Sequence, residues 1–198
     1  MQITARDYQP LAEENEGRYA WMYLDTRHNV TVGIGHLLPS PAAAEALPFV
    51  DADTGQPATR DSIGVAYAAV RDAGHLARRG ADRFAAVTTV RLPGAAVQAV
   101  YERDFTEIVE QTRGNLRAVG GGFDSYPLPA QLAIVDMAFN LGPSGLHNGF
   151  PRFRNAGLAR RDFEAAAGES RRRGIGERRN ARTRSLLLEA ARIEARHR

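Results

Sequence analysis

The chain has 198 residues, a net charge of +3, no cysteine and a hydrophobic fraction of 43%, which is the composition of an ordinary globular domain. Disulfides and thiolate metal sites are therefore excluded, and no apolar run approaches the roughly 18–20 residues that span a bilayer. All 26 basic residues are arginines, and residues 149–198 hold 14 of them beside six acidic residues, which fits either an anionic partner or a solvated helix face.

The first predicted element is a short helix over residues 7–17. Its inward stripe begins at Tyr8, and Glu16 lies near its C-terminal end. Gly17 is a natural helix stop. The pattern therefore delivers a carboxylate to the point where the chain leaves the helix.

Residues 20–36 change to a period of two, which is typical of a half-buried strand and its hairpin partner. Three apolar residues alternate with three small ones: Val30, Val32 and Ile34 with Thr31, Gly33 and Gly35. The apolar face is expected to pack on the core. The other face would offer a hydroxyl group and two glycines, so that a ligand can approach the backbone closely.

The middle of the chain is predicted to be a loop followed by helices. Residues 37–58 contain four prolines and read as a loop. From Thr59 an apolar stripe with helical spacing begins, and Pro93 is well placed to start a second helix.

The C-terminal part is predicted to be helical. Residues 129–141 form the most apolar segment and are expected to be a buried central helix that ends at Gly142-Pro143. Two short helices over about 150–158 and 161–172 should follow, and then a last helix over 178–196. Together with the hairpin, these elements predict an α+β fold.

Two carboxylates and one hydroxyl group are the candidate catalytic residues. Glu16 and Asp25 lie nine positions apart, and Thr31 follows on the next strand. In glycosidic bond cleavage, one carboxyl group protonates the leaving oxygen and a second carboxylate activates water. Because the chain has 23 acidic residues, a solvated helix surface is the alternative explanation for Glu16.

The same stretch carries a family resemblance. The pattern Glu-Gly-x5-Tyr-x-Asp-Thr followed by Thr-Val-Gly-Ile-Gly-His, at residues 16–36, resembles the lysozymes of T-even phages without a gap between Glu16, Asp25 and Thr31. Residues 131–142 resemble that family's central helix, and residues 178–182 resemble its late arginine-rich stretch. In total, the resemblance covers residues 7–38 and 129–190 in the same order.

The resemblance implies one lysozyme-like domain over residues 1–198. It would have a small hairpin-bearing lobe at 1–58, a larger helical lobe at 59–198 and a cleft between them. The implied activity is hydrolysis of the β-1,4 bond between N-acetylmuramic acid and N-acetylglucosamine in peptidoglycan. In this role Glu16 is the general acid, Asp25 activates or positions water, and Thr31 holds that water.

Four further residues are candidates for binding or positioning the substrate. Tyr23 either stacks on a sugar or fills the core, and Gly35 lets the ligand approach the backbone. Asn140 either donates to the sugar or caps the central helix. By analogy with the family, Arg179 is the best match for an arginine that pairs with Glu16, with Arg178 and Arg182 as alternatives.

Several tempting residues are given structural roles instead. His36 is expected to bond a buried carboxylate rather than act as a base, and Trp21 is expected to lie in the core rather than stack on a sugar ring. Asp51 and Asp53 are expected to form a turn rather than a calcium site, since the remaining loop ligands are missing. No metal and no cofactor are therefore expected.

The segment from Pro39 to Pro57 is longer than in short phage lysozymes. It resembles lysozyme-like toxins that bacterial secretion systems deliver, which favours an antibacterial effector over an endolysin. The N-terminus lacks the apolar region of a secretory signal, so we expect cytoplasmic synthesis and delivery to the periplasm or wall of a target bacterium.

The expected partners are peptidoglycan and either a delivery apparatus or an inhibitor protein. Nucleic acid is not expected, because the basic residues are not interleaved with aromatic ones. The main alternative from another functional class is a wall-binding module that has the lysozyme fold without activity.

Overall fold

A computed structural model describes residues 2–197 as a mixed α/β protein that is 64% helical with a small antiparallel sheet. The mixture of helices and sheet that the sequence predicts is confirmed. The α-helices of residues 2–197 are α1 Ala5–Glu16, α2 Pro41–Glu45, α3 Arg60–Asp72, α4 Gly94–Arg117, α5 Leu128–Leu141, α6 Pro143–Gly149, α7 Phe163–Gly168 and α8 Glu177–Ala195. The strands of the same residues are β1 Tyr19–Leu24, β2 Val30–Gly33, β3 His36–Leu37, β4 Val50–Asp51 and β5 Val90–Arg91.

The chain divides into two compact units. One consists of residues 16–104, and the other joins residues 2–15 to residues 105–197. The lobe boundary expected at residue 58 falls inside the first unit, because residues beyond it bond to β1. The indole Nε1 of Trp21 donates to the carbonyl of Ala81 at 2.8 Å, and the amide of Leu92 donates to Ala20 at 2.6 Å.

The first unit contains the predicted hairpin. Strands β1, β2 and β3 form an antiparallel sheet in that order, with Tyr23 opposite Thr31 and Val32 opposite His36. The register shifts between Tyr19 and Tyr23, so β1 carries a bulge. The turn between β1 and β2 is where the sequence places Asp25.

The expected half-exposure of β2 is wrong. All four of its residues are buried, including Thr31 and Gly33. Helix α3 packs against β1 and β2, and a Cβ at Gly33 would lie 3.6 Å from Val97 Cγ1 at the start of α4. Because helices of this unit cover the strand, alternation in the sequence does not correspond to exposure here.

The prediction of a loop over residues 37–58 is also wrong in part. The Oγ of Ser40 accepts from the amide of Ala43 and caps α2, with Pro41 in the first turn. Strand β4 then pairs with β5, some 40 residues later in the chain. Short elements of this kind are too brief for periodicity to show. The helix predicted from Thr59 is confirmed, and Thr59 caps it.

The second unit is helical and is built around α5. That helix packs on α8, and α7 packs on α8 as well. The buried residues of α5 include Ile134, Val135 and Met137, so the predicted central helix is confirmed. The predicted last helix is also confirmed as α8, and its buried face combines the polar residues Asn180 and Thr183 with Leu187 and Ala190.

The two short helices predicted before α8 are placed differently. Gly142, at φ 71°, ends α5 as expected, but Pro143 immediately starts α6. A π-helical turn at Phe153–Gly157 and a 3₁₀ turn at Leu158–Arg160 follow. The helix expected over 161–172 is shorter than predicted. Asp162 caps the start of α7, and the helix ends at Gly168. No helix within residues 2–197 is long and apolar enough to cross a bilayer.

Candidate active site

Glu16 lies at the point where helix α1 ends. The chain leaves the helix through Gly17, which has a φ of 73° in the left-handed region that glycine tolerates. A Cβ at Gly17 would lie 2.3 Å from Cε2 of Tyr19, so the Tyr19 ring lies directly over this glycine. The end of helix α1 and the Tyr19 ring therefore fix the backbone position from which the half-buried Glu16 side chain extends.

Gly35 makes room for the Glu16 side chain. It has a φ of 74°, and a Cβ added there would lie 3.2 Å from Cγ and 3.4 Å from Cβ of Glu16. The sequence suggested that a ligand approaches this glycine. In the structure, the candidate acid itself is the side chain that approaches it.

Replacing Gly35 by alanine is therefore expected to reduce both stability and activity. The left-handed backbone costs alanine about 1–2 kcal/mol, and the new methyl group also displaces Glu16, where a shift of about 1 Å can cost roughly 100-fold in rate. Gly55→Ala is the matched control, because Gly55 has a φ of 70° and nothing within 4 Å of its Cβ position. Denaturant unfolding and a wall-clearing assay are the measurements. Equal loss of activity in both variants would contradict this placement of Glu16.

Asp25 organises the turn between β1 and β2. Its Oδ1 accepts from the amides of Arg27 and Asn29, each at 2.8 Å, and its Oδ2 accepts from Asn29 Nδ2 at 3.0 Å. The turn is closed by the amide of Asp25, which donates to the Asn29 carbonyl at 3.0 Å. These bonds hold the half-buried carboxylate in one orientation. Asp25 therefore has a structural role in the turn, and the same bonds hold its carboxylate in a fixed position.

Thr31 follows the turn on β2, directly opposite Tyr23. Its hydroxyl donates to the carbonyl of Asn29 at 3.2 Å, and the residue is only 5% exposed. A hydroxyl group that has given its one hydrogen still has acceptor lone pairs. Thr31 can therefore accept a hydrogen bond from a water molecule without losing its own.

Tyr23 is a buried tyrosine on β1 whose phenol pKa is affected by both carboxylates. Burial raises the pKa of its phenol well above the ordinary value, and the charges of Glu16, the Tyr19 phenol and Asp25 raise it further. The Glu16 and Asp25 carboxylates therefore both disfavour ionisation of the same buried phenol. At neutral pH the Tyr23 phenol therefore keeps its proton and is able to donate a hydrogen bond.

His36 has the structural partner that the sequence predicted. Its Nδ1 lies 2.7 Å from Oδ2 of Asp104, and both side chains are largely buried. Asp51 also behaves as predicted, because its carboxylate accepts from the amide and hydroxyl of Thr54, both at 2.8 Å, and closes a turn. The expectation that Trp21 lies in the core is wrong, because Trp21 is only half-buried and its indole nitrogen donates to the carbonyl of Ala81.

The remaining candidates lie in the helical unit. Asn140 is half-buried on the last turn of α5. Arg179 lies on the first turn of α8, and its Nε donates to Oδ1 of Asp136 at 3.0 Å. Glu16, Tyr23, Asp25, Thr31 and Gly35 all belong to residues 16–104. Pairing of Arg179 with Glu16 stays a prediction.

Sequence reasoning missed the buried ion pair between Asp136 and Arg172, which Arg179 contacts through Asp136. Asp136 lies in the middle of α5, and its Oδ2 accepts from Nη2 of Arg172 at 2.7 Å. The side chains of the pair are 5% and 1% exposed. Asp136 also accepts from Nδ2 of Asn15 at 2.9 Å, and Asn15 directly precedes Glu16 in the chain. A lone carboxylate inside the most apolar helix was the signal, because a buried charge is almost always paired.

Comparison with known proteins finds no matching family model and no matching curated protein. Within residues 2–197, no group of three or more His, Cys, Asp or Glu side chains is placed to hold a metal ion. The geometry around Glu16 and Asp25 and the motif that contains them are therefore the features that indicate a function.

Proposed function

We propose that this protein is a peptidoglycan hydrolase of the phage lysozyme type, a muramidase with a lysozyme-like fold. It would cleave the β-1,4 bond between N-acetylmuramic acid and N-acetylglucosamine. The observation that carries the proposal is the geometry within residues 16–104, where Glu16 packs against Gly35 and the Asp25 carboxylate is held fixed in the turn that leads to Thr31. Two carboxyl groups around one site are the minimum equipment of a glycosidase.

The proposed first step is protonation of the leaving oxygen. Glu16, at the end of α1, donates its proton to the glycosidic oxygen as the bond to the anomeric carbon breaks. Gly35 and Gly17 give this side chain a restricted position. A fixed acid needs no costly rearrangement as the transition state forms.

The proposed second component is the attacking water. Asp25 takes a proton from this water as its oxygen bonds to the anomeric carbon, and Thr31 accepts the water's other hydrogen in a hydrogen bond. The turn bonds from Arg27 and Asn29 keep the Asp25 carboxylate oriented for this task. Attack by water on the face opposite the leaving group predicts inversion at the anomeric carbon.

The delivery of the enzyme is part of the proposal. The long segment between Pro39 and Pro57, which resembles that of secreted lysozyme-like toxins, favours an antibacterial effector over an endolysin. Such an effector acts on the wall of a target bacterium, and its producing cell then needs an inhibitor protein.

The proposal is tested by the clearing of purified peptidoglycan suspensions. We expect the wild-type protein to clear them and Asp25→Asn to be slower by about 100-fold or more, because asparagine cannot take a proton from water. Asparagine retains one oxygen for the turn amides, so the fold should be unchanged by circular dichroism. If the wild-type protein pellets with the wall but does not clear it, the wall-binding module is the correct reading and the muramidase proposal is wrong.

A further inference from the structure

Three aromatic residues alternate along β1, and the ring of the first packs against the rings of the other two. The ring centroids of Tyr19 and Trp21 are 5.5 Å apart, and those of Tyr19 and Tyr23 are 5.0 Å apart in an edge-on arrangement. The Tyr19 ring lies over Gly17, and Gly17 directly follows Glu16 in the chain. The row therefore begins beside the candidate acid.

The three rings differ in exposure. Tyr23 is buried, whereas Tyr19 and Trp21 are half-buried and keep part of their surface accessible. A partly accessible aromatic side chain beside a polar site offers an apolar surface and, for tyrosine, a hydroxyl group. Ligand sites are typically lined in this way, with a few polar groups that fix orientation.

Trp21 is held in place by the segment that follows α3. Its indole nitrogen donates to Ala81, and the guanidinium carbon of Arg91 lies 5.8 Å from its ring centroid. Arg91 is fixed in turn, because it donates to the carbonyl of Ala85 at 2.6 Å and to that of Thr88 at 2.7 Å. The ring is therefore preorganised, so a ligand that contacts it loses little entropy in ordering the side chain.

We propose that Tyr19 and Trp21 form a sugar-contacting shelf next to Glu16 that takes one N-acetylhexosamine ring of the glycan chain. The inference rests on the proposed function, because it supplies the glycan as the ligand. A pyranose ring presents a face of C–H groups to the aromatic surface and hydroxyl groups at its rim to the Tyr19 phenol. Residues 81–91 support this shelf through the bonds that hold Trp21 and Arg91.

Trp21 is the only tryptophan in the chain, so its fluorescence reports on this shelf alone. The probe is a preparation of peptide-free glycan strands, released from peptidoglycan by an amidase. It is titrated into the Glu16→Gln protein, so that hydrolysis does not consume it. We expect a saturable blue shift of Trp21 emission and protection from acrylamide quenching.

Variants of Tyr19 in the same background identify the contact. Tyr19→Ala should weaken binding of the strands by about fivefold to tenfold, and Tyr19→Phe by a smaller factor, because phenylalanine keeps the ring face and loses only the phenol contact. Leu37→Ala is the matched control, since Leu37 is an apolar residue of the same sheet that is 49% exposed. This control should bind as tightly as its parent.

The outcomes separate the shelf from the proposed function. A Trp21 response that weakens in Tyr19→Ala supports the shelf, even if the wild-type protein fails to clear peptidoglycan. If the wild-type protein clears peptidoglycan but Trp21 emission does not change, or Tyr19→Ala binds as tightly as the Leu37→Ala control, the shelf is wrong and the muramidase proposal stands. If no strand binding is detected by pelleting or by fluorescence, the shelf is likewise wrong.

Discussion

Replacing Glu16 by glutamine is expected to lower the rate of peptidoglycan hydrolysis by about 1,000-fold, within the range of roughly 10²–10⁴ that a general acid contributes. Glutamine has nearly the same shape as glutamate, so the contact with Gly35 is retained. What is lost is the proton that the leaving oxygen needs. The measurement is the initial rate of release of reducing ends from purified peptidoglycan.

Glu13→Gln is the matched control for this variant. Glu13 is an acidic, half-buried residue of the same helix α1, and its Oε1 accepts from Nε2 of Gln9 at 2.8 Å. Its replacement removes one negative charge three positions from Glu16 but leaves the proposed proton donor intact. We expect the activity of Glu13→Gln to remain within about twofold of wild type. Equal rates for Glu16→Gln and the wild-type protein would show that the acid is misassigned.

Replacing Arg172 by methionine is expected to destabilise the helical unit by about 3–5 kcal/mol, the cost of removing one partner of a buried ion pair. Nη1 of Arg172 donates to the Asp136 carbonyl at 3.2 Å, and Nη2 donates both to the Asp136 carboxylate and to Thr183 Oγ1 at 2.7 Å. Methionine fills much of the volume but provides none of these donors. At this chain length, the loss corresponds to a fall in Tm of about 10 °C.

The neighbouring Arg171 is the control for this prediction. Its ion pair with Glu177 is 3.4 Å long, and both side chains are more than 75% exposed. Arg171→Met should therefore change the free energy of unfolding by less than about 1 kcal/mol. A double-mutant cycle with Asp136→Asn measures the coupling, and similar stabilities of the two methionine variants would contradict the importance of the buried pair.

The long periodic elements could be predicted from the sequence because their signals are local. Thr59 marks the start of α3, Gly142 marks the end of α5, and the apolar stripe of α8 begins where the arginine-rich stretch ends. Each of these signals lies within one or two helical turns. The hairpin was predictable for the same reason, since the turn and both strands fit within residues 19–33.

The parts that failed depend on contacts between distant residues. Thr31 was expected to face away from the core, but α3 and the start of α4 cover the strand, and no local pattern shows this. The pairing of β4 with β5 links positions about 40 residues apart. The partner of Asp136 lies 36 residues away on the chain, so its burial was foreseeable but the identity of Arg172 was not.

The candidate site shows the same difference between features that are local in the chain and contacts between distant residues. The spacing of Glu16, Asp25 and Thr31 was readable, because one helix end and one hairpin contain all three. The close approach of Gly35 to Glu16 was not, because it joins positions that are 35 − 16 = 19 residues apart. The bond from Arg179 to Asp136 likewise required the structure.

The most direct test of the muramidase proposal is digestion of purified peptidoglycan in water enriched in oxygen-18, followed by mass spectrometry of the released muropeptides. The account predicts fragments that end in reducing N-acetylmuramic acid and carry one heavy oxygen at the anomeric carbon, because the attacking water supplies that atom. Fragments that end in reducing N-acetylglucosamine, or anhydro products without a heavy oxygen, would contradict it.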